Sequence, residues 1–149
     1  MINSRFAVAI HILALLEFEK EAHTTSDFLA QSIGTNPVVV RRIAKLLENA
    51  GLIEIHAGVG GSTLTRALDQ IPLLDVYRAV EKGETENLFA IHEHPHPACP
   101  VGAHIQATLE DVFIEAQRAL EGVLQKQTLA DIIQDLGRRY SAAVTAQAG

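Results

Sequence analysis

Two groups of side chains in this sequence are of types that do chemistry with a partner. The first is Arg41, Arg42 and Lys45, which follow Thr35-Asn36-Pro37-Val38-Val39. On a helix, read at roughly 100° per residue, Val38, Arg41, Arg42, Lys45 and Asn49 share one face. Val40, Ile43, Ala44 and Leu47 share the opposite one. The outer face then carries three cations, one short apolar group and an amide, with no acid among them. Such a face suits the major groove of a duplex, where guanine offers acceptors and thymine a methyl group. Arg41 or Arg42 could read guanine, Val38 could touch a thymine methyl, and Lys45 could hold a phosphate. Thr35, Asn36 and the N–H groups of Val38 and Val39 at the helix start suit a phosphate oxygen. A solvated helix face has the same composition, so the neighbouring elements must decide.

The second group is His92, Glu93, His94, His96, Cys99 and His104, all within 13 residues. Imidazole and thiolate suit zinc or copper, yet the spacing matches no closed structural-zinc pattern. Cys99 is also a candidate redox sensor, able to form a sulfenic acid, a mixed disulfide or a bond across a dimer. A plain connecting loop is the third reading. Cys99 is the only cysteine. An intramolecular disulfide is therefore excluded, as is an iron–sulfur cluster held by several cysteines of one chain.

The elements around the cationic face form an ordered series. Phe6, Ile10, Leu13 and Leu16 repeat at helical spacing over 5–18, and Thr24-Thr25-Ser26 can cap a second helix to about residue 33. Gly34 breaks it. Asn36 as N-cap and Pro37 at the first helical position start a third helix to about 49, which Gly51 closes. Two β-type runs, 52–56 and 62–66, flank a turn holding Gly58, Gly60 and Gly61, the composition of a tight hairpin. His56, Ser62 and Arg66 lie near the base of this hairpin and Gly60 in its turn, placed to reach a duplex backbone. A short helix is expected over 72–81 and an irregular segment over 91–102. A long helix should follow over 103–126, then a last one over 129–140 introduced by a Thr128–Asp131 capping box. The tail 141–149 is alanine-rich, and its final residues are expected to fray. The fold class is mainly α with a small β-hairpin wing: a winged helix-turn-helix plus a long C-terminal helix. Residues 1–82 are expected to form the DNA-binding unit, 83–102 a connecting or sensor loop, and 103–149 the C-terminal helices.

Composition agrees with a folded soluble protein: 48% hydrophobic and 20% charged residues. The net charge of −6 is unevenly spread. Residues 1–66 hold six of the 12 basic groups and six of the 18 acidic ones, so the excess negative charge lies beyond them. No apolar run is long enough to span a bilayer, which points to a cytoplasmic protein without a membrane partner. No nucleophile–base signature, phosphate-binding glycine loop or paired helical metal motif occurs. A zinc-dependent enzyme built on the histidine loop is thereby disfavoured. A winged-helix protein-interaction module would not need a basic helix free of acids.

The stretch 25–81 resembles the Rrf2 family of bacterial regulators. The resemblance is carried by Ser4-Arg5-Phe6-Ala7, by Arg42-Ile43-Ala44-Lys45-Leu46, and by Asn49-Ala50-Gly51-Leu52-Ile53. The wing Gly58-Val59-Gly60-Gly61, then Leu64, Ile71, Leu73-Leu74-Asp75-Val76 and Glu81, complete it. It implies a homodimer, with a long C-terminal dimerisation helix and 103–149 as the dimerisation helices, that binds a dyad-symmetric operator in double-stranded DNA and is expected to act as a repressor. Family members that sense iron–sulfur status carry three cysteines before the long helix, so an iron–sulfur cofactor is not expected here. Cys99-Pro100-Val101-Gly102 looks like the cluster-free branch. In the long helix, Ile105, Leu109, Val112, Ala116, Leu120 and Val123 form a stripe, broadened by Phe113 and Leu124. Ile114 sits on its far side. A helix apolar on more than one side needs more than one neighbour, which fits the dimer contact the resemblance implies.

Overall fold

The structure, a computed structural model, describes residues 4–20, 24–58, 60–81, 89 and 95–149. Helix α1 (Arg5–Phe18) has residues from across its surface buried, among them Ile12, Leu13 and Leu16. Helix α2 (Ser26–Ile33) begins where Thr25 Oγ1 accepts the N–H of Phe28 at 3.2 Å, and it ends at Gly34 with φ 77°. Helix α3 (Pro37–Asn49) begins with Asn36 Oδ1 accepting the N–H of Val39 at 3.0 Å. Gly51, at φ 73°, turns the chain out of it. Strands β1 (Ile53–Ile55) and β2 (Ser62–Leu64) pair antiparallel with Ile53 opposite Leu64 and Ile55 opposite Ser62. A 3-10 turn (Leu68–Gln70), which the sequence did not suggest, leads to α4 (Leu73–Glu81). Two longer helices follow, α5 (Pro100–Lys126) and α6 (Leu129–Ala148).

One core joins these pieces apart from α5. Ile12, Leu13, Val40, Ile43, Leu47, Leu52, Ile71, Val76 and Val80 are within 1% of full burial. Each side chain of this kind contributes about 1.5–3 kcal/mol when withdrawn from water. Leu129, at the start of α6, is fully buried in the same cluster. Backbone bonds hold it there: Leu129 N–H donates to Ile71 O at 2.9 Å, and Leu73 N–H to Gln127 O at 2.8 Å. The turn between α5 and α6 is thus stitched to the entry of α4. Thr128 and Asp131 form the expected capping box, with Asp131 Oδ2 accepting the Thr128 N–H at 2.8 Å.

Several boundaries differ from the sequence reading, for identifiable reasons. The strands are three residues each, not five. His56 N–H still donates to Gly61 O, and Thr65 N–H to Leu52 O, just outside them. Residues 100–102 are helical: Pro100 opens α5, where a missing N–H costs nothing, and Ala103 N–H donates to Cys99 O at 2.8 Å. Helix α6 continues to Ala148 instead of stopping near 140. Its alanine-rich end has high intrinsic helix propensity. Among the described residues, no helix is long and apolar enough to cross a membrane.

Candidate nucleic-acid interface

Helix α3 separates its two faces as its sequence requires. Val40, Ile43, Ala44 and Leu47 are buried, while Val38 is 66% exposed and Arg41, Arg42, Lys45 and Asn49 are exposed. Arg41 and Arg42 make no hydrogen bond or ion pair among the described residues. Their guanidinium forks are open to a ligand, with nothing acidic to displace first.

Lys45 departs from this picture. Its Nζ lies 2.6 Å from Glu48 Oε2, one helical turn on. The other carboxylate oxygen of Glu48 accepts the N–H of Ile55 on β1 at 3.2 Å. The Lys45 hydrogen bond, followed by the Ile55 N–H, holds the Glu48 carboxyl below its ordinary value of 4.5. The outer face is therefore not free of acids, and Lys45 reaches a phosphate only by leaving Glu48. The helix start needs a similar correction. Val39 N–H is taken by Asn36 Oδ1, so of the two expected phosphate donors only Val38 N–H remains open. Thr35, half-buried, donates its N–H to Ala30 O at 3.0 Å and shapes the turn before α3.

The hairpin stands beside this face. Gly58, Gly60 and Gly61 all take positive φ, at 83°, 76° and 90°, a conformation that side chains with a Cβ resist. His56 is half-buried, and its Nε2 hydrogen-bonds Thr63 Oγ1 at 2.9 Å across the two strands. Gly60 is exposed and Ser62 half-buried. A crevice of about 410 Å³ runs between the hairpin and α3, and Arg41, Lys45, His56, Gly60 and Ser62 all line it. Five of the expected contact residues thus meet on one surface. Arg66 is absent from this crevice but lines a neighbouring cavity with His56, Gly60 and Ser62, and its Nη1 bonds Asp75 Oδ2 at 2.8 Å, tying the exit of β2 to α4.

The histidine–cysteine segment is partly described. His92, Glu93 and His94 lie outside the described residues. Cys99 is exposed at the N-cap position of α5, and His104 lies exposed in its first turns. Cys99 N–H donates to His96 O at 3.2 Å, and Ala98 N–H to His96 Nδ1 at 3.2 Å. Among the described residues, no three His, Cys, Asp or Glu side chains are grouped to hold a metal ion.

The winged helix-turn-helix fold is what the comparisons with known proteins match. The family model Rrf2, described as an iron-dependent transcriptional regulator, covers residues 2–135. The chain belongs to the Rrf2 family. It is similar to YwnA of Bacillus subtilis (strain 168), which is named as an HTH-type transcriptional regulator. The two are 48% identical over 136 residues, 91% of this chain and 99% of YwnA. A crystal structure described as that of a DNA-binding protein is 42% identical, with a TM-score of 0.71 over 87% of this chain and 99% of its own. A transcriptional regulator from Lactobacillus plantarum is 28% identical, with a TM-score of 0.79 over 98% of each chain. The Rrf2 protein described here is accordingly a DNA-binding transcriptional regulator and not an enzyme. The iron dependence in the family's description meets a donor set with one thiol, Cys99. That set does not fit a cluster held by several cysteines of one chain.

Proposed function

We propose that this Rrf2 protein acts as a homodimer whose two α3 helices enter successive major grooves of a dyad-symmetric operator, repressing by occupancy. The observation that carries the reading is the pair Arg41 and Arg42, exposed and unpaired on a helix whose other face is buried. Either guanidinium can take guanine O6 and N7 as a bidentate fork. Val38 meets a thymine methyl, Val38 N–H and Lys45 meet phosphates, and Gly60 at the wing tip passes close to the neighbouring backbone. Support for the dimer comes from α5, where Val101, Val112 and Val123 are 68%, 57% and 61% exposed. Twofold symmetry would set the recognition helices about 34 Å apart, one turn of duplex. The reading includes no iron–sulfur cluster, since Cys99 is the sole cysteine.

The test begins with an operator selected from random duplexes using the purified protein. Arg41→Ala and Arg42→Ala should each lose about 1–3 kcal/mol of operator binding and relax base preference at one position per half-site. Sedimentation of both variants should match the parent. Unchanged operator affinity in both variants places the reading interface elsewhere.

A further inference from the structure

Ile53 and Leu64 pack the base of the hairpin on the core, and beyond that packing one side chain of the helix-turn-helix region hydrogen-bonds each strand. On β1, the Ile55 N–H donates to Glu48 Oε1, which reaches across from the last turn of α3. On β2, the Ser62 N–H donates to Thr24 Oγ1 at 3.4 Å. Thr24 immediately precedes Thr25, the cap of α2. It is 6% exposed, the only buried polar residue among those described. The contact is also steric. A Cβ on Gly61 would lie 3.2 Å from Thr24 Oγ1 and 3.5 Å from Thr24 N, and one on Gly60 would lie 3.5 Å from Thr25 Cγ2. The returning arm of the wing is seated against the start of α2 with little room for a side chain.

A two-stranded hairpin has little stability of its own. Its direction must come from what it is attached to. Here, beyond the core packing of its base, the polar attachments come from Thr24, just before α2, and from Glu48 in α3. We infer that Thr24 and Glu48 are positioning residues that fix the wing's angle to the recognition helix before DNA arrives. A wing already aimed loses less freedom on binding, and the saved ordering cost appears as affinity. The inference rests on the reading above in which the wing meets the duplex backbone.

Glu48 has two oxygens with separate tasks, which allows a clean dissection. Glu48→Gln keeps a carbonyl for the Ile55 N–H but gives up the ion pair with Lys45. Glu48→Leu gives up both. The difference between these two variants isolates the wing attachment, because Lys45 is released in each. At Thr24, Val removes the acceptor while keeping the shape, and Ser restores the hydroxyl. Hydroxyl-radical footprints and affinities would be measured on the selected operator, with thermal melts alongside. Thr24→Val should bind about 5- to 10-fold more weakly than Thr24→Ser, and Glu48→Leu more weakly than Glu48→Gln by a similar factor. The two weak variants should lose the flanking protection given by the wing while keeping protection in the groove read by α3. Flanking protection at parental strength in Thr24→Val and Glu48→Leu would overturn the inference, even if their melting temperatures fell. A parent protein with no flanking protection would instead sink the wing contact itself, and this inference with it.

Discussion

Helices α3 and α5 treat their apolar residues in opposite ways. In α3, 13 residues long, Val40, Ile43, Ala44 and Leu47 are all buried within one chain. In α5, 27 residues long, no residue is buried. Its inner side touches α4, where Arg78 Nη2 bonds Glu121 Oε2 at 2.9 Å, while Val101, Val112 and Val123 stand exposed on another side. Helix α3 is therefore seated inside a single chain, and its exposed face carries Arg41, Arg42 and Lys45. Helix α5 is half-covered, and among its exposed charged residues it leaves Val101, Val112 and Val123 uncovered. Exposed apolar side chains repeating along one side of a helix suit an interaction surface, which the proposed function fills with a second copy.

The largest effect expected breaks this contrast at α5. Val112→Glu combined with Val123→Glu would bury unpaired charge in the proposed interface, at about 3–5 kcal/mol for each uncompensated group. Sedimentation should show monomers, with operator binding lost and helical content retained. A dimer of parental stability would show that the stripe faces water in the assembled protein. Next in size is Ile43→Ala on the buried side of α3. Ile43 is fully buried, so its truncation should cost about 2–5 kcal/mol in chemical unfolding. A cost under about 1 kcal/mol would mean that α3 is less firmly seated than its burial implies.

The same contrast explains what could be read from the sequence. The bounds of α1, α2 and α3 were legible because their signals are local: Thr25 and Asn36 as caps, Pro37 at the first turn, Gly34 and Gly51 at the ends. The inner face of α3 was legible because burial follows helical period. The outer face was read less well. Glu48 is only three residues from Lys45, yet its second bond, to Ile55, depends on where β1 returns. Thr24 contacts Ser62 across 38 positions of sequence, and no local spacing encodes that. Arg66 looked like a wing residue until Asp75, nine positions on, claimed it. At Pro100 the local signal is ambiguous, since a proline that ends irregular chain can equally begin a helix. The end of α6 is not marked by an apolar pattern, because alanine-rich tails carry helix propensity without one.

Two glycines sharpen the comparison with the smallest effects, and with opposite signs. Gly51 closes α3 at φ 73°, and a Cβ there would meet nothing within 4 Å. Gly51→Ala should therefore cost about 1–2 kcal/mol for conformation alone, since a left-handed backbone crowds any Cβ against its own carbonyl. Gly122 sits inside α5, exposed, and a Cβ there would also meet nothing within 4 Å. Its backbone is ordinary helix, so alanine relieves the entropy that glycine loses there. Gly122→Ala should raise stability by about 0.5–1 kcal/mol. Equal space and opposite outcomes would separate backbone conformation from packing as the cause. Stabilisation at Gly122 with unchanged association would also keep that side of α5 outside the dimer contact. A loss of association on adding one methyl group would instead bring Gly122 into it, and the interface would have to wrap beyond the Val112–Val123 side.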